Sequence, residues 1–451
     1  MENREQEENG IDRRSDILIA GSGCSALYFA LKAPRDRRVL LITKSDFESS
    51  DSYLAQGGIC VLRDESDYDS YFEDTMKAGH YENDRDSVEI MIRSSQDVIR
   101  DLIDCGVEFA RTESGEMDYT REGCHSNKRI LYHEDVTGRE ITSHLLAEVK
   151  KLPNVTMLEY TTLLDVICRD NVCYGAVLRT ADGRLQRVAC DVTVLATGGI
   201  GGLYRHSTNF RHLTGDALAI ALRHDIALEH VDYIQIHPTT FYSDAEEERS
   251  FLISESARGE GARLYDKDGR RFTDELLPRD RLTSAIRAQM EKDGTDYVWE
   301  DLRTIAPEEL ESHFPNIVAH CREAGYDVSE RCIPVAPAQH YFMGGIKVDH
   351  ESRTSMAQLY AIGETACNGV HGRNRLASNS LLESLVFARR AAADTAQRQP
   401  LPCPDADLFA RWDLTPYRDA QALQKEYAEM VEAEIDRVGG GNRAGVAYRE
   451  F

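Results

Sequence analysis

The residues able to do chemistry in this chain fall into two sets. The first is a run of small residues, Gly21-Ser22-Gly23-Cys24-Ser25-Ala26, directly after the apolar stretch 17–20. Glycine at 21 permits a sharp turn and glycine at 23 permits close approach of a ligand, while free N–H groups at a helix start attract phosphate oxygens. This spacing suits a dinucleotide pyrophosphate without distinguishing NAD, NADP and FAD. The second set is scattered: His237 before Pro238, His340 ahead of Gly344-Gly345, Arg279 before Asp280, Arg375 after Asn374, and Glu122 after Arg121. Arginine suits carboxylates because its planar fork binds both oxygens. By type alone, Arg279 fits a surface ion pair with Asp280 and Arg121-Glu122 an ordinary charged loop.

The elements that must position these residues are legible from periodicity. Asp16–Ala20 and Arg38–Lys44 read as buried strands joined by a helix, a βαβ unit. The second strand ends in Thr43-Lys44, where such a site usually carries an acid for a ribose. Lys44 in that place reaches phosphate oxygens or is a solvated strand end. Asp51-Ser-Tyr-Leu-Ala-Gln-Gly-Gly58 is small and polar and suits a planar ligand. Residues 68–110 and 140–150 carry apolar residues at helical spacing. Runs at 155–158, 163–168 and 175–179 suggest a small antiparallel sheet. Two further strand–glycine turns, at 191–199 and 359–364, imply one nucleotide domain interrupted by an insertion. Glu364 follows the last turn, where a carboxylate can accept from sugar hydroxyls.

The expected domains are a disordered polar lead-in at 1–14, a discontinuous nucleotide domain at 15–230 and 341–398, a capping domain at 231–340, and a short C-terminal helical segment at 399–451. A net charge of -25 over 451 residues argues against a nucleic-acid partner, whose binding needs Lys and Arg. The eleven cysteines show no CxxC pair or metal-ligand spacing, so free, buried thiols and no metal are expected. The charged N-terminus lacks a signal-peptide h-region and no run is long enough for a membrane span, which points to the cytoplasm.

Eight ordered motifs resemble those of flavoproteins of the succinate dehydrogenase and fumarate reductase family. They are Gln56-Gly-Gly58, Ala196-Thr-Gly-Gly199, Thr214-Gly-Asp216, Ile236-His-Pro-Thr239, Arg258-Gly-Glu-Gly261, Pro278-Arg-Asp280, His340-Tyr-Phe-Met-Gly-Gly345 and Asn374-Arg-Leu-Ala-Ser-Asn-Ser-Leu-Leu-Glu383. The resemblance spans roughly 16–396. It is greatest to the branch that oxidises L-aspartate, through Arg121-Glu-Gly-Cys-His-Ser126 before Arg129-Ile-Leu131, and through Ser378-Asn-Ser380 after Asn374-Arg375.

The resemblance implies an α/β (α+β) fold, with a Rossmann-like FAD-binding domain interrupted by a cap. Relatives in membrane complexes bind flavin covalently through a histidine where this chain has Asp51, so non-covalent FAD is expected. The flavin contacts it implies are Gly21, Ser22, Gly23, Cys24, Ser25 and Lys44 at the pyrophosphate and adenosine end. Asp51, Ser52, Tyr53, Leu54, Ala55, Gln56, Gly57 and Gly58 would meet the ring and ribityl chain, with Asp216, Glu364, Ser380 and Leu381 completing the site. His340 and Arg375 would hold the carboxylate next to the reacting carbon, and His237 with Ser254 and Thr239 the distal one. Glu255 would organise the site, Arg279 would manage the proton, and Glu122 would distinguish aspartate from succinate. The implied reaction is L-aspartate to iminoaspartate, with oxygen or fumarate as acceptor, linked functionally to quinolinate synthase. The alternative is a soluble fumarate reductase. The family usually carries a longer C-terminal helical domain than the single convincing helix expected here.

Overall fold

The computed structural model describes residues 10–243, 249–440 and Tyr448. Ile17–Ala20 and Val39–Ile42 are apolar and buried throughout, as strands covered on both faces must be. They form the centre of a five-stranded sheet, in the order Leu359–Ala361, Val192–Leu195, Ile17–Ala20, Val39–Ile42, Val155–Leu158, every pair parallel. Successive side chains point to opposite faces. Ile17 and Ile19 therefore join one apolar core and Leu18 and Ala20 another on the far side.

Gly21 ends the first strand with φ +134°, and a Cβ there would lie 1.9 Å from the Ala196 carbonyl oxygen. Only glycine fits that turn. The helix Cys24–Lys32 follows and packs against the long helix Ser380–Gln397. Ala26, Ala30, Ala388, Ala391 and Ala392 are fully buried, and their small size lets two helix backbones approach closely over the sheet.

Leaving the parallel sheet after Val192–Leu195, the chain builds a second sheet before returning at Leu359–Ala361. The second sheet is antiparallel, in the order Ile234–Phe241, Ile333–Phe342, Val298–Asp301, Arg263–Tyr265, and has its own core around Ile253, Leu264, Leu282 and Ile317. The C-terminal helix Ala420–Val438 packs on the helix Asp216–Arg223. Asp165 ties this region together, accepting from Tyr417 Oη at 2.7 Å and pairing with His224 Nε2 at 2.7 Å. No helix among the described residues is long and apolar enough to cross a membrane.

The structure corrects three expectations. Arg13–Arg14 lies within the stretch read as a disordered lead-in, yet it forms a strand paired in parallel with Leu185–Ala189. Ile11 is buried nearby, and the neighbouring strand's backbone offers hydrogen bonds that polar side chains do not forfeit. Residues 1–9 lie outside the described residues. Val155–Leu158 is not part of the antiparallel sheet: it pairs with Val39–Ile42 as a parallel edge strand, while Thr162–Arg169, Val172–Arg179 and Leu185–Ala189 form the meander. All eleven cysteines are free, but Cys124 and Cys403 are exposed and Cys105, Cys168 and Cys332 only half-buried.

Candidate active site

The main cleft opens at the carboxyl ends of the parallel strands, where ligands bind in open α/β sheets. Its walls include residues 20–23 after the first strand, 42–44 after the second, 196–198 after the fourth in sequence, and Glu364 after the last. Residues 49–52 and 54–58 form another wall, and Ser380 and Leu381 lie at the start of the long helix. The cleft encloses about 1780 Å³, including its solvent-open mouth.

Two predicted cofactor residues fall outside this wall. Cys24 is buried in the core below the first helical turn, and its backbone N–H donates to Ser52 Oγ at 3.1 Å. Tyr53 is half-buried, and its neighbours on the single turn Asp51–Leu54 line the cleft in its stead. Lys44 reaches the cleft but is not a solvated strand end. Its ammonium donates to His212 O at 3.0 Å, Thr214 Oγ1 at 3.1 Å and Asp216 Oδ2 at 2.8 Å. Lys44 and Asp216, which opens the helix Asp216–Arg223, therefore form one bridge at the wall of the cleft.

The wall fits a flavin nucleotide by its unsatisfied polar groups. Ser50 Oγ, Asp51 Oδ2, Gln56 Oε1 and Asn209 Oδ1 are buried along it without a protein partner. Buried acceptors left unpaired cost about 1–3 kcal/mol each, which a ligand's donors would recover. Burial pushes the Asp51 carboxyl up to about 7. Burial and then the nearby Asp51 push Glu364 up to about 8, so each can stand protonated and donate.

At the far end of the cleft the second sheet contributes His237 and His340, the helices beside it Ser254, Glu255 and Arg279, and the loops before and after it in the chain Glu122 and Arg375. The His237 and His340 rings lie edge to face with centroids 5.1 Å apart. Burial, then Arg279, hold both imidazoles well below their ordinary range, so both are neutral. His237 Nδ1 lies 2.9 Å from Thr239 O and 3.2 Å from the Thr239 N–H, which holds the ring by that nitrogen and leaves Nε2, without a protein partner, to a ligand. His340 Nδ1 is 2.7 Å from Thr208 Oγ1.

Arg279 opens the helix Arg279–Asp293 and is almost fully buried, not paired with Asp280, which faces His80 at 3.3 Å. Its Nε donates to Glu255 Oε2 at 2.6 Å and its Nη1 to Gln235 Oε1 at 2.7 Å. Burial raises Glu255, but Arg279 and Arg258 outweigh it and hold the carboxyl below its usual range. Arg375 donates to Ser380 Oγ at 2.9 Å, lies 4.4 Å over the Tyr341 ring, and keeps its Nε without a partner. Burial, then Arg279, lower it to about 10. Glu122 accepts from Ser256 and Ser378, and burial followed by the charge of Glu255 raises it.

One expected contact is absent: Thr239 points its hydroxyl at Ile253 O, 3.2 Å away, and accepts from Arg258 rather than facing the cleft. Sequence reasoning missed Gln235, Thr208 and Tyr341. Gln235 was findable, since it lies two residues before His237 on one strand and therefore on the same face. Its amide donates to Asn374 Oδ1 at 2.9 Å and Arg375 O at 2.8 Å, joining the Arg279 and Arg375 loops. Thr208 sits in an irregular loop and carries no sequence signal.

A parallel sheet with its cleft at the strand ends, unpaired acceptors along that cleft and cations converging at one end fit an enzyme that binds a nucleotide and an anionic substrate. A family model described as an FAD binding domain matches residues 16–381. The chain is 48% identical to an L-aspartate oxidase of Clostridium perfringens over 85% of this chain and 87% of that one. It is 46% identical to an L-aspartate oxidase of Clostridium acetobutylicum over 84% of this chain and 87% of that one. Among solved structures, a quinol fumarate reductase of E. coli superposes with TM-score 0.80 at 27% identity, covering 93% of this chain and 74% of that one. The chain belongs to the L-aspartate oxidase family of FAD-binding flavoproteins.

Proposed function

We propose that this protein oxidises L-aspartate to iminoaspartate with non-covalent FAD, the electrons passing on to oxygen or fumarate. The observation that carries this reading is the placing of two arginines, two neutral histidines and two buried carboxylates at one end of the cleft, Glu255 being paired with Arg279 while Glu122 accepts from the hydroxyls of Ser256 and Ser378. Cations and neutral polar groups suit two substrate carboxylates, and Glu122, the carboxylate not matched to an arginine, suits an ammonium.

Arg375 with its free Nε and His340 hold the carboxylate beside the reacting carbon, while His237 and Ser254 meet the distal one. Residues 231–340 act as the cap that places these groups over the cleft. FAD, when bound, supplies a two-electron acceptor for the hydride leaving the α-carbon. The protein's part is to orient that carbon and remove the amine proton. A guanidinium is always protonated, so Arg279 acts by stabilising charge or by relaying a proton through Glu255, its partner at 2.6 Å. Gly21 to Gly23 would hold the pyrophosphate of FAD, and Asp51, Gln56, Glu364, Ser380 and Leu381 its ribityl chain and ring. We place the enzyme in the cytoplasm and link its product to quinolinate synthase.

Anaerobic titration with L-aspartate tests the reading. Loss of the oxidised flavin absorbance supports it; a flavin that stays oxidised with aspartate, or protein that takes up no FAD, sinks it. Succinate or fumarate turnover without aspartate turnover would favour a fumarate reductase instead.

A further inference from the structure

Glu122 is gripped by two hydroxyls from separate parts of the chain. Ser256 Oγ donates to Oε1 at 2.9 Å and Ser378 Oγ to Oε2 at 2.6 Å. Ser256 lies on the short helix Glu255–Gly259 beside the second sheet, and Ser378 just ahead of the helix Ser380–Gln397. Two independent features mark the grip as built. Ser378 holds φ at +61°, a left-handed conformation that costs a non-glycine residue about 1 kcal/mol or more and persists only where its surroundings enforce it. Opposite it, position 57 is glycine: a Cβ there would lie 2.5 Å from Glu122 Oε1 and 3.4 Å from Ser378 Oγ. The backbone is thus bent on one side and stripped of a side chain on the other to admit this carboxylate between its donors.

The chemistry explains why donors are needed. Burial and the neighbouring Glu255 both drive Glu122 toward its neutral form, which would not attract a cation. A hydroxyl that donates to a carboxylate favours the charged form.

We infer that Ser256 and Ser378 are positioning residues that keep Glu122 ionised and aimed at the substrate ammonium, and so set the preference for an amino-dicarboxylate over a plain dicarboxylate. This rests on the reading of the cleft as an aspartate-oxidising site. Because Ser256 belongs to the part of the chain that builds the second sheet, the grip is complete only when the helix Glu255–Gly259 is seated against the Glu122 loop.

The test compares Ser378→Gly, Ser256→Ala and Ser256→Thr with the wild-type holoenzyme. Glycine is chosen at 378 because it removes the hydroxyl without adding strain at φ +61°. Steady-state oxidation of L-aspartate is measured across pH, alongside fumarate reduction by a reduced dye. Removing either hydroxyl should raise KM for L-aspartate about tenfold near neutral pH, the scale of one hydrogen bond to a charged group. It should also move the acid limb of kcat/KM for L-aspartate to higher pH, by about one unit. KM for fumarate should change little, and Ser256→Thr should restore the wild-type profile. Equal losses with both substrates and an unmoved acid limb would mean a merely structural role and overturn the inference. Variants indistinguishable from an active wild type would overturn it too. A wild type that reduces fumarate but never oxidises L-aspartate would instead bring down the underlying reading, and this inference with it.

Discussion

Arg279 and Glu255 meet in a buried ion pair, Nε to Oε2 at 2.6 Å, at the wall of the cleft. Arg258 stands behind Glu255 at 3.9 Å, so the carboxylate is shared between a cation facing the cleft and one inside the protein. Glu255→Gln keeps the shape and removes the charge. We expect kcat for L-aspartate to fall by about 100-fold, the scale of losing one proton-transfer contribution, with FAD content unchanged. Steady-state rates and the flavin absorbance of purified protein check both halves.

The paired carboxyls Asp51 and Glu364 give a pH signature in flavin-free protein. Their folded pKa values, about 7 and about 8, exceed the ordinary 3.8 and 4.5. Such groups bind more protons folded than unfolded between those limits, so the stability they contribute is full at low pH and is lost as pH rises toward 8. Asp51→Asn removes that loss. The variant should melt about 1–2 °C above the wild type at pH 8, with the gap closing toward pH 5, when both are scanned calorimetrically without FAD.

Gly21→Ala should not be tolerated. The new Cβ would lie 1.9 Å from the Ala196 carbonyl, a backbone atom that cannot move aside. We expect a destabilisation of about 3 kcal/mol or more and loss of bound flavin, read by denaturant unfolding and absorbance.

Arg129 is fully buried between Asp67, 2.9 Å from Nη2, and Asp74, 2.6 Å from Nη1, below the loop that carries Glu122. Arg129→Met would strand two buried carboxylates. Breaking such a pair costs about 3–5 kcal/mol, which urea unfolding should register. The same variant should raise KM for L-aspartate, because Asp74 also holds Ser126 in that loop through its backbone N–H at 2.7 Å.

How much of this was legible beforehand depends on whether the signal was local. Ile17–Ala20 announces itself because a strand covered on both faces needs an unbroken apolar run, and Gly21 because the turn excludes a side chain. Val155–Leu158 was misassigned because its half-exposed edge pattern is equally compatible with either neighbouring sheet. Arg13–Arg14 was missed because its pairing is backbone to backbone and owes nothing to its side chains. In the site, His237, Arg279, His340 and Arg375 stood out through their motifs. Thr208, which meets His340, and Ser256, which meets Glu122, carry no such signal, since contacts across 132 and 134 residues leave no trace in spacing; Gln235 is betrayed only by its place two residues before His237.

The order of strands in the parallel sheet also bears on biosynthesis. The strand Val192–Leu195 is flanked by Ile17–Ala20, made long before it, and by Leu359–Ala361, made long after it. Contacts this distant along the chain close slowly and late. The wall of the cleft is therefore incomplete until Glu364, Ser380 and Leu381 have been synthesised, so a ribosome-bound chain lacking its last quarter has no closed cleft.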